Sequence, residues 1–155
     1  MNFQDTQLIG VLARAESTVS SLSSLLGGLV EKFVARGYSL YLVGGSVRDA
    51  LLGRLGNDLD FTTPARPDVV KEILDEWAET VWDTGIDFGT VSAAYKGQQI
   101  EITTFRSDSY DGQSRNPEVV YGDTLEGDLV RRDFKVNAMA IELLADASFT
   151  FHDPL

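Results

Sequence analysis

The sequence predicts an α+β fold, in which helices pack against a mixed, largely antiparallel sheet. Three observations lead to this prediction. Two segments repeat apolar residues at helical spacing, other segments alternate or form short apolar runs typical of strands, and the two kinds of element do not alternate regularly as in a doubly wound parallel fold. The chain has 155 residues, 43% of them hydrophobic, which is enough for one domain with a substantial core. We therefore expect residues 1–155 to form a single unit.

The first half of the chain contains clear helix and strand boundaries. Apolar residues at helical spacing end at Gly37, a natural helix stop, and a β-branched and aromatic run is broken by Gly44 and Gly45. Pro67 has a backbone angle suited to the start of a helix. The predicted elements are a helix over 18–36, a strand over 38–43, a short helix over 46–52, a strand over 58–62 and a helix from Pro67 to Trp77.

The second half predicts two hairpins, a long loop and a helix. Residues 88–105 alternate around Lys96-Gly97-Gln98, as in a hairpin, whereas residues 106–123 are polar and rich in turn formers. A helix over 125–132 and a hairpin of 137–144 with 149–152 should follow. We expect Trp77 and Trp82 to fill the core, and His152 to make a structural hydrogen bond.

Composition limits the classes of function. The formal net charge of −11 argues against a domain that binds RNA or DNA by itself, but it does not exclude a catalytic piece that works beside a basic domain. Without cysteine, the chain has no disulfide partner and no thiolate metal site. It has no basic leader and no apolar run long enough to cross a bilayer. These features predict a soluble cytoplasmic protein without a membrane partner.

Asp58 and Asp60 lie two residues apart on a predicted strand, so both carboxylates should project from the same face. Two anions held close together favour a cation between them, and Mg²⁺ needs only one or two protein carboxylates when phosphates supply its other oxygen ligands. An Asp-x-Asp triplet alone is weak evidence, because most such triplets are exposed strand ends or turns.

A possible phosphate site precedes this pair. Gly44 and Gly45 allow close approach of a ligand to the backbone, and the free N–H groups of the helix starting at Ser46 favour an anion. Arg48 adds a forked cation suited to phosphate oxygens. The alternative is a plain strand-to-helix turn with a surface Arg48 paired to Asp49. A nucleoside triphosphate with Mg²⁺ explains the glycines and the aspartate pair together.

Four stretches carry a resemblance to a known family. GGSVRDALLG followed by NDLDFTT resembles the nucleotidyltransferase signature of the polymerase-β superfamily, in the form found in class II tRNA nucleotidyltransferases, the CCA-adding enzymes, and in bacterial poly(A) polymerases. EITTFRSDSYD and LVRRDFKVNAMA resemble two further stretches of that family, in the expected order. The resemblance covers residues 40–155.

The resemblance implies a role for each matching residue. Asp58 and Asp60 would hold two catalytic Mg²⁺ ions, and Glu101 is the candidate for a third catalytic carboxylate, although an outward-facing strand glutamate is the alternative. For Arg131 and Arg132, a solvated helix face is the alternative to a contact with nucleotide. The implied nucleotide-binding residues are Gly44, Gly45, Ser46, Arg48, Arg131, Arg132, Asp133 and Asn137.

The implied activity is addition of CCA to tRNA 3′ ends from CTP and ATP, with release of pyrophosphate. The family's Glu-Asp-x-x-Arg motif, which pairs with the incoming base, does not occur in the sequence. We therefore expect an N-terminal catalytic head, truncated before the base-pairing helices and the tRNA-binding regions and weakly active or inactive alone. The alternatives are a poly(A) polymerase head, a nucleotidyltransferase acting on a small molecule, and a non-catalytic nucleotide-binding or interaction module.

Overall fold

The computed structural model describes residues 28–53, 56–106, 121–130, 139–144 and 149–152, with positions 10, 13, 17–18, 20–22 and 26. The helices are α1, which includes residues 28–35, α2 (Gly45–Leu51), α3 (Pro67–Trp77) and α4 (Leu125–Val130), with a short 3₁₀ helix at Ile86–Phe88. The strands are β1 (Leu40–Val43), β2 (Asp58–Thr63), β3 (Thr80–Trp82), β4 (Thr90–Tyr95), β5 (Gln98–Thr104), β6 (Ala140–Leu143) and β7 (Phe149–His152).

These strands form one sheet in the order β3-β4-β5-β2-β1-β6-β7. Strands β2 and β5 are parallel, and the other described pairs are antiparallel. A parallel pair needs a long crossover, which α3, β3 and β4 supply between β2 and β5. The predicted α+β class with a mixed, largely antiparallel sheet is confirmed.

The main core lies between one face of the sheet and helices α1, α2 and α3. Alternate residues of the central strands point into it, as the period of a strand requires, and the helices contribute residues at helical spacing. Phe33 of α1 and Phe61 of β2 are the largest of the fully buried side chains in the described chain. The other buried members from these elements include Leu26, Leu29, Leu40, Leu42, Val47, Leu59, Val70, Ile73, Leu74, Ile100 and Ile102.

A second, smaller core lies on the opposite face of the sheet. Val43, Ala140 and Leu129 of α4 are buried there, with Tyr41 and Leu125 packed against them. Because α4 is short, it covers only the part of this face near β1 and β6. The opposite face therefore carries the polar residues of the central strands.

Hydrogen bonds fasten the segment containing α4 to the end of β5. The Gly122 N–H donates to the Phe105 carbonyl at 2.7 Å, and the Arg106 N–H donates to Oδ1 of the buried Asp128 at 3.0 Å. Arg66 reaches across from the start of α3 and donates to the Gly122 carbonyl at 3.1 Å. The two ends of the predicted 106–123 loop are thus held together, and residues 107–120 between them lie outside the described residues.

Most predicted boundaries agree with the structure to within a few residues. The hairpin of β4 and β5 turns at Lys96 and Gly97, α3 begins at Pro67, and β6 pairs with β7. Sequence reasoning missed β3, whose three residues are too few for a visible alternation. Phe88, expected at the start of the hairpin, belongs instead to the 3₁₀ helix. None of the helices that the structure describes is long and apolar enough to cross a membrane.

Candidate active site

The two aspartates of β2 project from the face opposite the main core. Leu59, between them, is buried, whereas Asp58 and Asp60 are exposed. The predicted orientation of this pair is confirmed, because burying Leu59 places both neighbours on the other side of the strand. The aspartates occupy the first half of β2, beside the turn that leads from β1 into α2.

The start of α2 is attached directly to this strand. The backbone N–H of Asp60 donates to Ser46 Oγ at 3.1 Å, and Ser46 is only 5% exposed. Gly44 precedes the helix with φ of 67° and ψ of −142°, a conformation that side chains with a Cβ rarely adopt. A Cβ built on Gly44 would lie 3.9 Å from Asp60 Oδ2. The bare backbone of the turn therefore lies beside the carboxylate of Asp60.

The side chain of Ser46 joins the start of α2 to β2. The nucleotide-binding role of Ser46 stays a prediction, and the structure shows its hydroxyl accepting a hydrogen bond from the Asp60 N–H of β2. The hydroxyl holds the helix start and the Asp60 backbone at a set distance. Sequence reasoning had no signal for this bond, because its partners are 14 residues apart.

Arg48 lies on the exposed side of α2. Its Nε is 3.4 Å from Asp49 Oδ1, and its guanidinium folds back over the turn, so that Nη2 lies 3.4 Å from the position of a Cβ on Gly45. The pairing with Asp49 is the one that the plain-turn alternative predicted. Exposed pairs of this kind contribute little energy. The cation therefore lies at the glycine turn without a strong internal partner.

Glu101 faces the same region from β5. It is the register partner of Asp60 in the parallel β2–β5 pair, so the two side chains lie next to each other on one face. Partial desolvation raises the pKa of the Glu101 carboxyl, and the charge of Asp60, a hydrogen bond with the Asp60 carboxyl and the charge of Asp58 raise it further. The three acids therefore repel one another, and protonation of Glu101 relieves part of that repulsion.

This repulsion predicts a small gain in stability for Glu101→Gln without divalent ions. A raised pKa favours the protonated form in the folded state, so the folded protein loses stability as the pH rises from about 4.3 through the raised value. The Glu101→Gln variant has no carboxylate at this position, and so it avoids this loss of stability. We expect it to be about 0.5 kcal/mol more stable at pH 7, a rise of about 1–2 °C in Tm, since Glu101 is exposed.

Thermal unfolding from pH 4 to pH 8 measures this difference, which should shrink toward pH 4. Glu31→Gln, which removes an exposed glutamate of α1, is the matched control and should leave Tm unchanged. Equal melting temperatures for Glu101→Gln and the parent at pH 7 would contradict the repulsion.

Among the described lysines and arginines, none forms an ion pair with Asp58, Asp60 or Glu101. In the same part of the chain, no three His, Asp or Glu side chains are close enough together to hold a metal ion by themselves. The acids are thus near enough to interact electrostatically but do not form a complete protein cage. Any cation bound here would take further ligands from elsewhere.

Several predicted site residues cannot be placed. Arg131, Arg132, Asp133 and Asn137 lie outside the described residues, and so their expected contacts with nucleotide stay predictions. The described chain reaches Val130, the last residue of α4, immediately before Arg131. The predicted helix over 125–132 is therefore tested only as far as residue 130.

The expectations for Trp77 and His152 are confirmed, and the expectation for Trp82 is not. Trp77 packs against the core and stacks on Tyr95, with ring centroids 4.0 Å apart, as expected of a core residue. His152 Nε2 lies 3.1 Å from Glu142 Oε1, which confirms the structural hydrogen bond. The expectation for Trp82 was wrong: its side chain is 41% exposed, because the adjacent Val81 is the residue of β3 that points into the core.

Comparison with known proteins places this chain in a family. Residues 40–155 match the family model described as the poly A polymerase head domain, which is about three quarters of the chain. The chain belongs to this family. The CCA-adding enzyme of Listeria monocytogenes serotype 4a is 43% identical to this head domain over 127 residues, which are 81% of the chain and 30% of that enzyme.

Solved structures agree with this assignment. The CCA-adding enzyme of Bacillus stearothermophilus in complex with CTP matches the head domain with a TM-score of 0.67 and 37% identity, over 86% of this chain and 30% of that one. A tRNA nucleotidyltransferase complexed with a primer tRNA and an incoming ATP analog matches with a TM-score of 0.60 and 29% identity, over 87% and 34% of the respective chains. The chain thus spans about 30% of the length of these relatives.

Proposed function

We propose that this chain is the catalytic head of a tRNA nucleotidyltransferase that adds CCA to tRNA 3′ ends from CTP and ATP. The observation that carries the proposal is the joining of Asp60 to the glycine turn through Ser46, which brings the carboxylate pair of β2 and the start of α2 together. The family match and the CCA-adding relatives support this chemistry over other uses of such an arrangement.

The donor set suits Mg²⁺. Asp58 and Asp60 offer hard carboxylate oxygens on one face, no described lysine or arginine neutralises them, and a triphosphate can supply the missing ligands. Both aspartates would hold the metal, with Glu101 as the further carboxylate beside them. When bound, Mg²⁺ supplies positive charge that lowers the pKa of the RNA 3′ hydroxyl and neutralises the leaving pyrophosphate.

The residues of the turn and of α2 would position the triphosphate. Gly44 and Gly45 carry no side chain that would block approach to the backbone of the turn, and Arg48 places its guanidinium over the same turn. Ser46 keeps this turn in register with Asp60, so that the phosphate chain and the carboxylates stay aligned. The 3′ hydroxyl of the RNA then attacks the α-phosphorus, and the bond to pyrophosphate breaks in line.

Further contacts with the nucleotide come from the segment after α4. We propose that Arg131 and Arg132 contact its phosphate or sugar, that Asp133 orients these arginines, and that Asn137 bonds nearby backbone or ribose. The support for these roles is the resemblance of LVRRDFKVNAMA to the family, since these residues lie outside the described part of the chain.

The head requires other regions for full activity. The chain covers about 30% of its relatives, and its net charge of −11 opposes independent binding of tRNA. We propose that base selection and most contacts with tRNA belong to further regions of a longer cytoplasmic enzyme. Residues 1–155 alone should transfer nucleotides weakly or not at all.

The test uses the full-length protein that contains this head, a tRNA lacking its CCA end, Mg²⁺ and labelled CTP or ATP. We expect two CMP residues to be added, followed by one AMP. Repeated addition of AMP without use of CTP would instead show a poly(A) polymerase, the enzyme named in the description of the family model. Mg²⁺-dependent nucleotide binding without transfer to RNA would show a non-catalytic module.

A further inference from the structure

We infer that Trp82 stacks against a nucleobase near the 3′ end of the RNA primer. Trp82 is 41% exposed and lies on β3 at the edge of the sheet. This inference rests on the proposed function and adds to it a binding position for the second substrate. A nucleobase fits an exposed indole, because both present flat aromatic faces.

The strand registers place Trp82 on the same face as the acids. Trp82 is opposite Ser92, Ser92 is opposite Glu101, and Glu101 is opposite Asp60. Residues opposite one another on paired strands project from one face, so these four side chains form a row across β3, β4, β5 and β2. Val81 packs against the main core, which confirms that Trp82 points to the other side.

The row carries a small side chain between its two ends. Between Trp82 and Glu101 the only member is Ser92, whose small side chain cannot fill the gap. Two strand spacings of about 4.8 Å put the backbones of Trp82 and Glu101 about 10 Å apart. Stacked nucleotides rise about 3.4 Å each along one strand, so this distance corresponds to roughly the last three nucleotides of a primer.

The direction of the reaction places the primer on the side of β2 that carries β5, β4 and β3. In an in-line displacement the attacking and leaving oxygens lie on opposite sides of the phosphorus. The glycine turn, where the leaving pyrophosphate would bind, follows β1 on one side of β2. The attacking 3′ hydroxyl must therefore approach from the other side, which is the side of β5, β4 and β3.

A binding experiment on the full-length protein tests this inference. The probe is a fluorescein-labelled RNA acceptor-stem minihelix with a single-stranded 3′ end, and fluorescence anisotropy gives its Kd without nucleotide or Mg²⁺. We expect Trp82→Ala to raise the Kd about 5- to 150-fold, the usual effect of removing one base-stacking aromatic residue. Trp82→Phe should retain most of the affinity.

Phe88→Ala is the matched control. Phe88 is 64% exposed, more than Trp82, but it belongs to the 3₁₀ helix and not to the row that leads to the acids. Its truncation should leave the Kd unchanged. A loss of affinity for Phe88→Ala equal to that for Trp82→Ala would overturn the specific role of Trp82.

Minihelices with an abasic site at each of the last three nucleotides identify the stacked base. For one abasic minihelix, the Kd with the parent protein should equal the Kd of the intact RNA with Trp82→Ala. On that abasic minihelix, Trp82→Ala should not raise the Kd further. Equal Kd values for Trp82→Ala and the parent would overturn the inference. So would the same loss on every abasic RNA, which is expected if another part of the protein covers Trp82.

The binding result and the transfer result are separate. The Kd measurement needs no catalysis, and so it reports on Trp82 even if the protein transfers no nucleotide. Failure of CMP transfer by the parent protein would count against the proposed function. Normal transfer together with an unchanged Kd for Trp82→Ala would refute the stacking and leave the proposed function intact.

Discussion

Replacing either aspartate of the β2 pair by asparagine, Asp58→Asn or Asp60→Asn, should reduce CMP transfer by the full-length protein at least about 1,000-fold. Each substitution keeps the shape of the side chain and removes its charge. The stabilisation that a catalytic divalent ion gives to developing charge amounts to several kcal/mol, and about 4 kcal/mol corresponds to this factor. Single-turnover transfer to a tRNA lacking CCA measures the loss.

A second measurement separates loss of metal from loss of fold. Mg²⁺ together with CTP should raise the Tm of the parent protein, because a ligand bound only by the folded state stabilises it. The asparagine variants should fold normally and lose this rise. Asp68→Asn, at an exposed aspartate in the first turn of α3, should retain both the Tm rise and the activity. Retention of more than about a tenth of the activity by Asp58→Asn and Asp60→Asn would reject the metal assignment.

Gly44→Ala should weaken both the fold and the binding of nucleotide. Gly44 has φ of 67° and ψ of −142°, and forcing an alanine into this region costs about 1–3 kcal/mol. Relief of that strain would shift Gly45 and Arg48 away from Asp60, whose carboxylate lies beside the turn. We expect a lower free energy of unfolding, measured with urea, and a Kd for CTP about 10-fold higher, measured by calorimetry with Mg²⁺.

Gly37→Ala is the control that separates strain from binding. Gly37 also has a positive φ, of 84°, and nothing lies within 4 Å of a Cβ built on it, but it ends α1 away from the acids. This variant should lose about 1 kcal/mol of stability and bind CTP normally. If Gly37→Ala weakened CTP binding as much as Gly44→Ala, global destabilisation would explain both results, and the turn would have no special role.

The local parts of the site were predictable because they depend on short-range geometry. The period of a strand placed Asp58 and Asp60 on one face, and the structure confirms it by burying Leu59 between them. Helix α3 begins at Pro67 for the same kind of reason, since the proline angle suits a helix start. The turn at Lys96 and Gly97 likewise lies between two strands whose alternation is visible in the sequence.

Contacts between distant residues were not predictable in this way. The bond from the Asp60 N–H to Ser46 Oγ joins two elements that sequence reasoning treated separately. The resemblance indicated Glu101 as a carboxylate on a neighbouring strand, but its partner Asp60 became apparent only from the parallel pairing of β2 with β5. Trp82 was misplaced because β3 is too short to show which of its residues face the core.

The sequence by itself determined most of the elements of this protein, the chemistry available to it and the family to which the resemblance pointed. Those properties follow from residue type and from spacing over a few positions, which backbone sterics and side-chain periodicity control. The tertiary structure decided which charges repel one another, how the glycine turn is attached to the carboxylates and which aromatic ring faces solvent. Each of these depends on strand order and register, because pairing in a sheet joins residues that lie tens of positions apart along the chain.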